Sequence, residues 1–261
     1  MKSTKLFKAL LATAVVGCSS LAQATIVEVT TNVGKFEVNL YDESTPVTVQ
    51  NFLSYVNSGR YDGTVIHRSE ANFVIQGGGY VFDEELPLKA TTTNAAIVNE
   101  PKWSNVRATI AMAKQAGNPN SATNQWFINL SNNASNLDFQ NSGFTVFGQI
   151  SAADMEVIDA IVAVPQYDFF VFNSTSKTKL PVRNYSASDY DDNKPLVADN
   201  LITIESIVVV DERPNTVAGL TLVPTTNTGG SDGGSDGGSS GGSFGWFLLP
   251  LSLLALRRRR G

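Results

Sequence analysis

The first part of the chain has a hydrophobic pattern that predicts a hairpin followed by a helix. Every second residue of 35–40 is apolar, beginning with Phe36, which is the period of a half-buried strand, and 26–30 is expected to pair with it. A helix should begin at Thr45 as its cap and Pro46 in its first turn, where a missing N–H costs nothing. Its apolar face and its end are predicted at Val49, Phe52, Leu53, Val56 and Gly59.

Later stretches predict further strands and a second helix. Residues 65–79 contain β-branched and aromatic residues at 65–66 and 73–75, so they are expected to form a strand that ends in a tight exit at the three glycines. In 125–130, strand alternation would place Gln125 and Phe127 on one face and Trp126 and Ile128 on the other. Further strands are predicted at 105–114, 144–150 and 201–210, and a helix at 153–164.

Residues 165–200 form a long polar connection with aromatic patches. A loop of that length is usually functional or poorly ordered. Its acidic side chains could together hold a calcium ion, but their spacing is not that of an EF-hand, and a solvated acidic turn is favoured. These side chains are Asp189, Asp191, Asp192 and Asn193.

Residues 1–24 have the features of a secretory signal peptide. Lys2, Lys5 and Lys8 supply positive charge, residues 6–17 form the apolar run, and residues 22–24 are a small-residue cleavage site. A lipoprotein signal is the alternative, because residues 15–18 end in Cys18 and resemble a lipobox. Both interpretations predict an exported protein, with the folded domain at 25–213.

The C-terminal end is expected to be separate from this domain. Residues 214–243 are rich in Gly, Ser and Asp and predict a linker. The apolar part of the tail at 244–261 is short for a membrane span, which needs about 20 residues, and an arginine cluster follows it. This order resembles the GlyGly-CTERM sorting signal, which implies transient membrane association and removal of the tail. A simple tail anchor with cytoplasmic arginines is the alternative.

Composition narrows the chemistry. With a net charge of −5, the chain lacks the broad basic surface that is typical of a nucleic-acid binder, so no nucleic-acid partner is expected. Cys18 and His67 are the only residues of their kinds, which excludes an intramolecular disulfide, a Cys/His zinc site and any Ser-His-Asp machinery not built on His67. No metal and no cofactor are expected.

Arg68 and Phe73 suggest a ligand type. Arg68 would be a fixed cation with several donors, beside an apolar wall from Phe73. This pairing suits a ligand that is apolar on one side and carries a carbonyl on the other, as a prolyl peptide does.

Three ordered blocks carry a family resemblance. The first is His67-Arg68, Phe73 and 74–78; the second is 108–114 with 121–129; the third is 136–138 with 144–149. With these blocks the chain resembles the cyclophilin family of peptidyl-prolyl isomerases, over roughly residues 25 to 210, and most closely its short bacterial periplasmic members.

The resemblance implies a mainly β fold: a closed eight-stranded antiparallel barrel capped by two helices, with the site in an outer groove. It implies prolyl isomerisation of proline-containing peptides and unfolded exported proteins by a monomer. The implied catalytic residues are Arg68, Phe73, Gln76, Gln125 and Phe127. The implied substrate-binding residues are Val74, Ala113, Lys114, Asn136, Leu137 and Phe144.

Three positions depart from the family pattern. Asn136 stands where tryptophan is frequent, Lys114 where asparagine is common, and Phe144 where histidine or tyrosine often occurs. These differences bear on substrate preference more than on the reaction, and they predict weak cyclosporin binding. His67 is expected to pack structurally.

Two alternatives remain: a non-catalytic proline-peptide or chaperone module, and a barrel that holds a small ligand in an open cavity.

Overall fold

The computed structural model describes residues 25–173, 175–212 and 220–227. The predicted signal peptide at 1–24 and tail at 244–261 lie outside the described residues, as does most of the predicted linker at 214–243. Within the described ranges, no helix combines the length and apolar character needed to cross a membrane.

The described chain is mainly β, as predicted. Its strands are β1 Ile26–Thr31, β2 Lys35–Leu40, β3 Arg68–Glu70, β4 Val74–Gly77, β5 Tyr80–Val81, β6 Lys89–Ala90, β7 Thr109–Met112, β8 Trp126–Asn129, β9 Val146–Ile150, β10 Gln166–Phe169, β11 Thr178–Pro181 and β12 Ile204–Asp211. Its helices are α1 Pro46–Asn57, α2 Ala134–Leu137, α3 Met155–Ala163 and α4 Ala187–Asp191, with 3-10 turns at Gln140–Ser142 and Ala198–Asn200.

Eight of the strands form one antiparallel sheet in the order β12-β1-β2-β9-β7-β8-β4-β3. The sheet curls into a barrel that is closed in part. Its edge strands β3 and β12 form no ladder with each other, but the chain before β3 reaches the start of β12. There Gly63 N donates to Ile204 O at 2.8 Å, and Ile66 N donates to Ile202 O at 2.9 Å. The predicted full closure is therefore corrected to partial closure.

The inner face of the sheet is packed with side chains. Phe36 of β2, Met112 of β7 and Ile128 of β8 are at most 2% exposed and belong to one large apolar cluster with α1 and α3. Burial of this apolar area is the main favourable contribution to folding. A filled interior leaves the small-ligand alternative without support.

Helix α1 begins where predicted but has a different cap. The Thr45 hydroxyl donates to Tyr41 O at 3.2 Å instead of accepting from the first turn. The Glu100 carboxylate accepts from Thr48 N at 2.9 Å and from the Thr48 hydroxyl at 2.7 Å. A carboxylate at a helix N-terminus satisfies open N–H groups and suits the helix dipole. The predicted Thr45 cap is wrong, because a distant side chain takes its place.

The central stretch 65–79 is a hairpin and not one strand. Strands β3 and β4 pair antiparallel, with Arg68 opposite Gln76 and Glu70 opposite Val74. The turn contains Asn72 at φ 59°, a left-handed conformation that asparagine tolerates better than most residues. This turn places two predicted site residues, Arg68 and Gln76, side by side on neighbouring strands.

Residues 165–200, which we call the insertion, have a structure of their own. Strands β10 and β11 pair, and Leu180 and Val182 join a second apolar cluster that also contains Val65. The acidic turn contains a capping box in which Asp189 accepts from Ser186 N at 2.8 Å. Among the described residues, no group of three or more His, Cys, Asp or Glu side chains is placed to hold a metal.

The described part of the predicted linker, residues 220–227, lies against the domain. Ser104 N donates to Val223 O at 2.8 Å, and Thr225 N donates to Lys102 O at 3.0 Å. Leu222 lines a pocket with Tyr41, Glu43, Ser44 and Trp103. This pocket contains none of the predicted site residues.

Candidate active site

The sheet register aligns the polar and aromatic site residues in one row. Arg68 of β3 lies opposite Gln76 of β4, and Gln76 lies opposite Phe127 of β8. Phe127 in turn lies opposite Ala111 of β7. Directly opposed residues of an antiparallel pair project from the same face with neighbouring side chains. Because Trp126 and Ile128 belong to the inner cluster, this row lies on the outer wall.

Two glutamines are joined beside this row. Gln76 Nε2 donates to Gln125 Oε1 at 2.9 Å, and the backbone of Gln125 accepts from Ala113 N at 2.9 Å. A Cβ added at Gly79 would overlap the Gln125 side chain, so the glycine gives this amide its space. At Gly78, φ is +88° and a Cβ would lie 2.7 Å from Trp126 Nε1. The glycine run is therefore required by packing at the site and by a left-handed backbone.

An apolar cluster continues the row along the outer wall. Its buried members include Phe127, Leu137 and Phe144, and the Phe127 and Phe144 rings meet edge to face with centroids 5.6 Å apart. Phe73 is half-buried and packs against the same cluster. We call the row and this cluster the groove. All the predicted apolar site residues lie in it: Phe73, Val74, Ala113, Phe127, Leu137 and Phe144.

Lys114 lies beside the Phe144 ring of the groove. Its ammonium donates to Asn141 O at 2.8 Å and to Gly143 O at 2.6 Å, and it lies 4.7 Å from the centroid of the Phe144 ring. Burial lowers its pKa to about 8. The residue therefore changes charge within the range in which enzymes are assayed, directly beside an aromatic wall.

A buried carboxylate that the sequence interpretation gave no role holds the loop carrying Leu137 and Phe144. Asp138 accepts from the Ser104 hydroxyl at 2.6 Å and from Asn105 N at 2.8 Å. Phe144 N also donates to Leu137 O at 2.9 Å. Asn136, which precedes Leu137 in α2, is half-buried. The position of Asp138 directly after the predicted groove residues was the available signal for its importance.

The charge on Arg68 has a neighbour that was also missed. Glu70 lies two residues along β3 on the same face, with Oε1 3.8 Å from Arg68 Nε. Burial lowers the pKa of Arg68, and Glu70 opposes this shift. Since guanidinium has a very high pKa, it keeps its charge throughout the working range.

His67 lies behind Arg68 and is fully buried. Its ring contacts the edges of Tyr80 and Phe172, with centroids 5.0 and 5.4 Å away. Neither ring nitrogen has a hydrogen bond of normal geometry within the described part of the chain. Burial lowers its pKa to about 3, so the ring is neutral at ordinary pH. This packing agrees with the structural role expected from the sequence.

Taken together, the fold and the groove define a mainly β, partly closed barrel whose polar and aromatic site lies on its outer wall. The model of the family described as cyclophilin type peptidyl-prolyl cis-trans isomerase/CLD matches residues 26–186. That match covers more than half of the chain and contains every predicted site residue.

Two curated relatives agree with this match. A peptidyl-prolyl cis-trans isomerase of Acinetobacter baylyi is 39% identical over 161 residues, which are 60% of this chain and 82% of the relative. Peptidyl-prolyl cis-trans isomerase A of Dickeya dadantii is 42% identical over 145 residues, covering 54% of this chain and 73% of the relative. The chain belongs to the cyclophilin family, and it is a peptidyl-prolyl cis-trans isomerase.

A solved structure of a cyclophilin type peptidyl-prolyl cis-trans isomerase from Cryptosporidium parvum is also similar. It has a TM-score of 0.49 and 21% identity, covering 72% of this chain and 99% of that chain. The family assignment rests on the sequence matches and not on this likeness.

Proposed function

We propose that this isomerase accelerates rotation about X–Pro bonds of exported proteins in the groove, with Arg68 as its catalytic group. One observation carries the proposal: the sheet register places Arg68, Gln76 and Phe127 side by side in a single row. A proline ring resting on the phenylalanines would bring its preceding amide bond to the guanidinium. Val74, Ala113, Leu137 and Phe144 would extend the apolar contact.

The chemistry needs neither a nucleophile nor a metal ion. The barrier to rotation is about 18–20 kcal/mol, because the amide bond has partial double-bond character. When the amide twists, conjugation is lost and the proline nitrogen gains a lone pair. A guanidinium placed near that nitrogen stabilises the lone pair in the twisted state more than in the planar one. Selective stabilisation of the transition state by preorganised charge lowers the barrier.

The two glutamines would hold the peptide backbone. Gln76 donates one amide hydrogen to Gln125 and keeps a second hydrogen for a substrate carbonyl. Gln125 is half-buried and has its own amide donors. A planar peptide fixed on both sides of the proline can rotate only about the X–Pro bond, which is the orientation effect catalysis requires. Lys114, beside the Phe144 ring, and Asn136, directly before Leu137, would add polar contacts to the peptide.

A kinetic comparison tests the catalytic assignment. Full-length wild type, Arg68→Ala and the matched control Arg60→Ala are assayed with a prolyl tetrapeptide in a protease-coupled assay. Arg60 is a suitable control because it contacts Tyr55 and Ser58, outside the groove. We expect kcat/KM to fall about 100-fold or more in Arg68→Ala, as for removal of a preorganised charge donor, and to stay unchanged in Arg60→Ala.

The same variants separate catalysis from simple peptide capture. Peptide binding measured by NMR titration should be weakened modestly in Arg68→Ala, because the apolar floor remains. Unchanged isomerisation in this variant would contradict the catalytic role of Arg68. The non-catalytic alternative would instead be favoured if wild type bound the peptide without accelerating its isomerisation.

We further propose that the protein acts outside the cytoplasm as a monomer, with brief membrane contact through its tail. The sequence features of 1–24 and 244–261 support this, with cleavage before Thr25 and later loss of the tail. Intact-mass analysis of the native protein checks both ends. A mass that includes a lipid on Cys18, or the intact arginine cluster, would contradict the proposed processing.

A further inference from the structure

We propose that Lys179, contributed by the insertion, is a positioning residue for Arg68 and acts through Glu70. This inference rests on the proposed catalytic role of Arg68. It adds a second requirement: the guanidinium must be kept from closing onto its neighbouring carboxylate.

Glu70 lies between two cations. Its Oε1 is 3.8 Å from Arg68 Nε, and its Oε2 is 3.6 Å from Lys179 Nζ. Both distances are within ion-pair range and longer than a hydrogen bond. The carboxylate is thus shared between the two cations, and neither forms a tight pair with it.

If Glu70 were not shared with Lys179, it could pair with Arg68 alone. Carboxylate and guanidinium have matching forks and readily form two parallel hydrogen bonds. Such a bidentate pair would engage donors that must face the substrate amide. Attraction from Lys179 on the opposite oxygen holds Glu70 partly away, so that it supports the charge of Arg68 without capturing its donors.

The insertion is packed so that Lys179 reaches this point. Leu180 is fully buried in the second apolar cluster, and strand alternation turns the neighbouring Lys179 outward, where it is exposed. Gln166 Nε2 donates to the Ser69 hydroxyl at 3.0 Å, directly behind β3. Phe172 packs against His67. The insertion therefore contacts the residues on both sides of Arg68 and adds a cation on the face of Arg68.

The test uses the full-length protein and variants in which Lys179, Glu70 or both are replaced by uncharged residues. In Lys179→Gln we expect kcat to fall about fivefold with little change in KM, the size of effect that a partly exposed ion pair supports. Lys179→Arg should retain activity. Lys194→Gln is the matched control, because Lys194 is also in the insertion and pairs with Asp189, so it should leave kcat unchanged.

The double variant distinguishes positioning from a structural role. When Glu70→Gln is added to Lys179→Gln, the unopposed carboxylate is gone, and kcat should recover to the level of Glu70→Gln alone. A loss in Lys179→Gln that Glu70→Gln does not relieve would overturn the inference, as would an unchanged kcat in Lys179→Gln. Arg68→Ala, assayed in parallel, tests the proposed function itself: full activity there would overturn that proposal, whatever Lys179 does.

Discussion

Adjacent residues of β8 lie in two different regions of the molecule. Ile128 faces the barrel interior and is completely buried among side chains from the strands and from α1 and α3. Phe127 faces the outer wall, where it contacts Phe144 and lies in the same row as Gln76 and Arg68. Both side chains are nearly inaccessible in the free protein, but their neighbours differ. The interior holds the sheet in shape, whereas the outer wall places polar groups beside aromatic rings.

This comparison teaches that burial alone does not separate scaffold from site. Phe127 is 2% exposed and Ile128 is 0% exposed, so accessibility would treat them alike. What separates them is the presence of a cation and two amides beside the first and their absence around the second, among the described residues. Substitutions on the two faces should therefore have different effects.

The largest expected effect on stability comes from the inner face. Ile128→Ala removes buried methyl groups and leaves a cavity, which should lower the free energy of unfolding by about 2–5 kcal/mol. The remaining folded protein should keep its kcat/KM. Urea unfolding and the tetrapeptide assay measure both quantities, and loss of activity without loss of stability would contradict the division between the faces.

Phe127→Leu on the outer face should have the opposite result. The substitution keeps an apolar side chain of similar size, so stability should change by less than about 1.5 kcal/mol. The flat floor beneath the proline ring is lost, and we expect kcat/KM to fall about tenfold, or about 1.4 kcal/mol of transition-state stabilisation. The control is the matched substitution on the inner face, Ile128→Leu, which should remain fully active.

His67 makes a pH-dependent contribution to stability from behind the site. Its pKa is lowered to about 3 in the folded state and is ordinary in the unfolded state, so unfolding takes up a proton between these values. The contribution of His67 to the free energy of unfolding is fully present above about pH 6.5. It is lost as the pH falls, at up to about 1.4 kcal/mol per pH unit. Urea titrations from pH 7 to 5 should show a weaker dependence in His67→Phe. An identical pH dependence in the two proteins would contradict neutral burial of this ring.

Lys114 should give the smallest effect, and it should appear in substrate preference. With a pKa of about 8, Lys114 carries its charge at pH 7 and loses it above pH 8. Peptides with an acidic residue next to proline should therefore lose about fivefold in kcat/KM relative to neutral peptides between pH 7 and 9.5. Lys114→Gln should remove this difference, and a pH profile shared by both peptides would exclude electrostatic contact with Lys114.

Short-range patterns were sufficient to predict much of the fold. The β1–β2 hairpin, the body of α1 and the opposite faces of β8 follow from periods of two and 3.6 residues. The division of 65–79 into β3 and β4 was missed, because β-branched residues at 65–66 and 74–75 lie on both sides of a turn that contains Asn72. Full barrel closure was also wrong, since ladder formation between β3 and β12 depends on distant strand geometry.

The blocks that contain the candidate site residues could be predicted from the sequence, whereas most of the charge contacts around them could not. The groove residues came from family blocks, and the sheet register brings them together. Glu70 had a local signal that was overlooked, because strand alternation puts residues 68 and 70 on one face. Glu100 and Lys179 have none, because their partners are far away in sequence. Charge pairs of this kind are set by tertiary packing, which no periodicity encodes.

The central claim is that Arg68 acts on bond rotation itself and not on peptide capture. The most direct measurement is the cis–trans exchange rate of a prolyl peptide on the saturated enzyme, obtained by NMR exchange spectroscopy for wild type, Arg68→Lys and Arg68→Ala. We predict a rate about 100-fold lower in Arg68→Ala, an intermediate rate in Arg68→Lys, and similar populations of bound peptide in all three. An on-enzyme rate in Arg68→Ala equal to that of wild type would contradict the account.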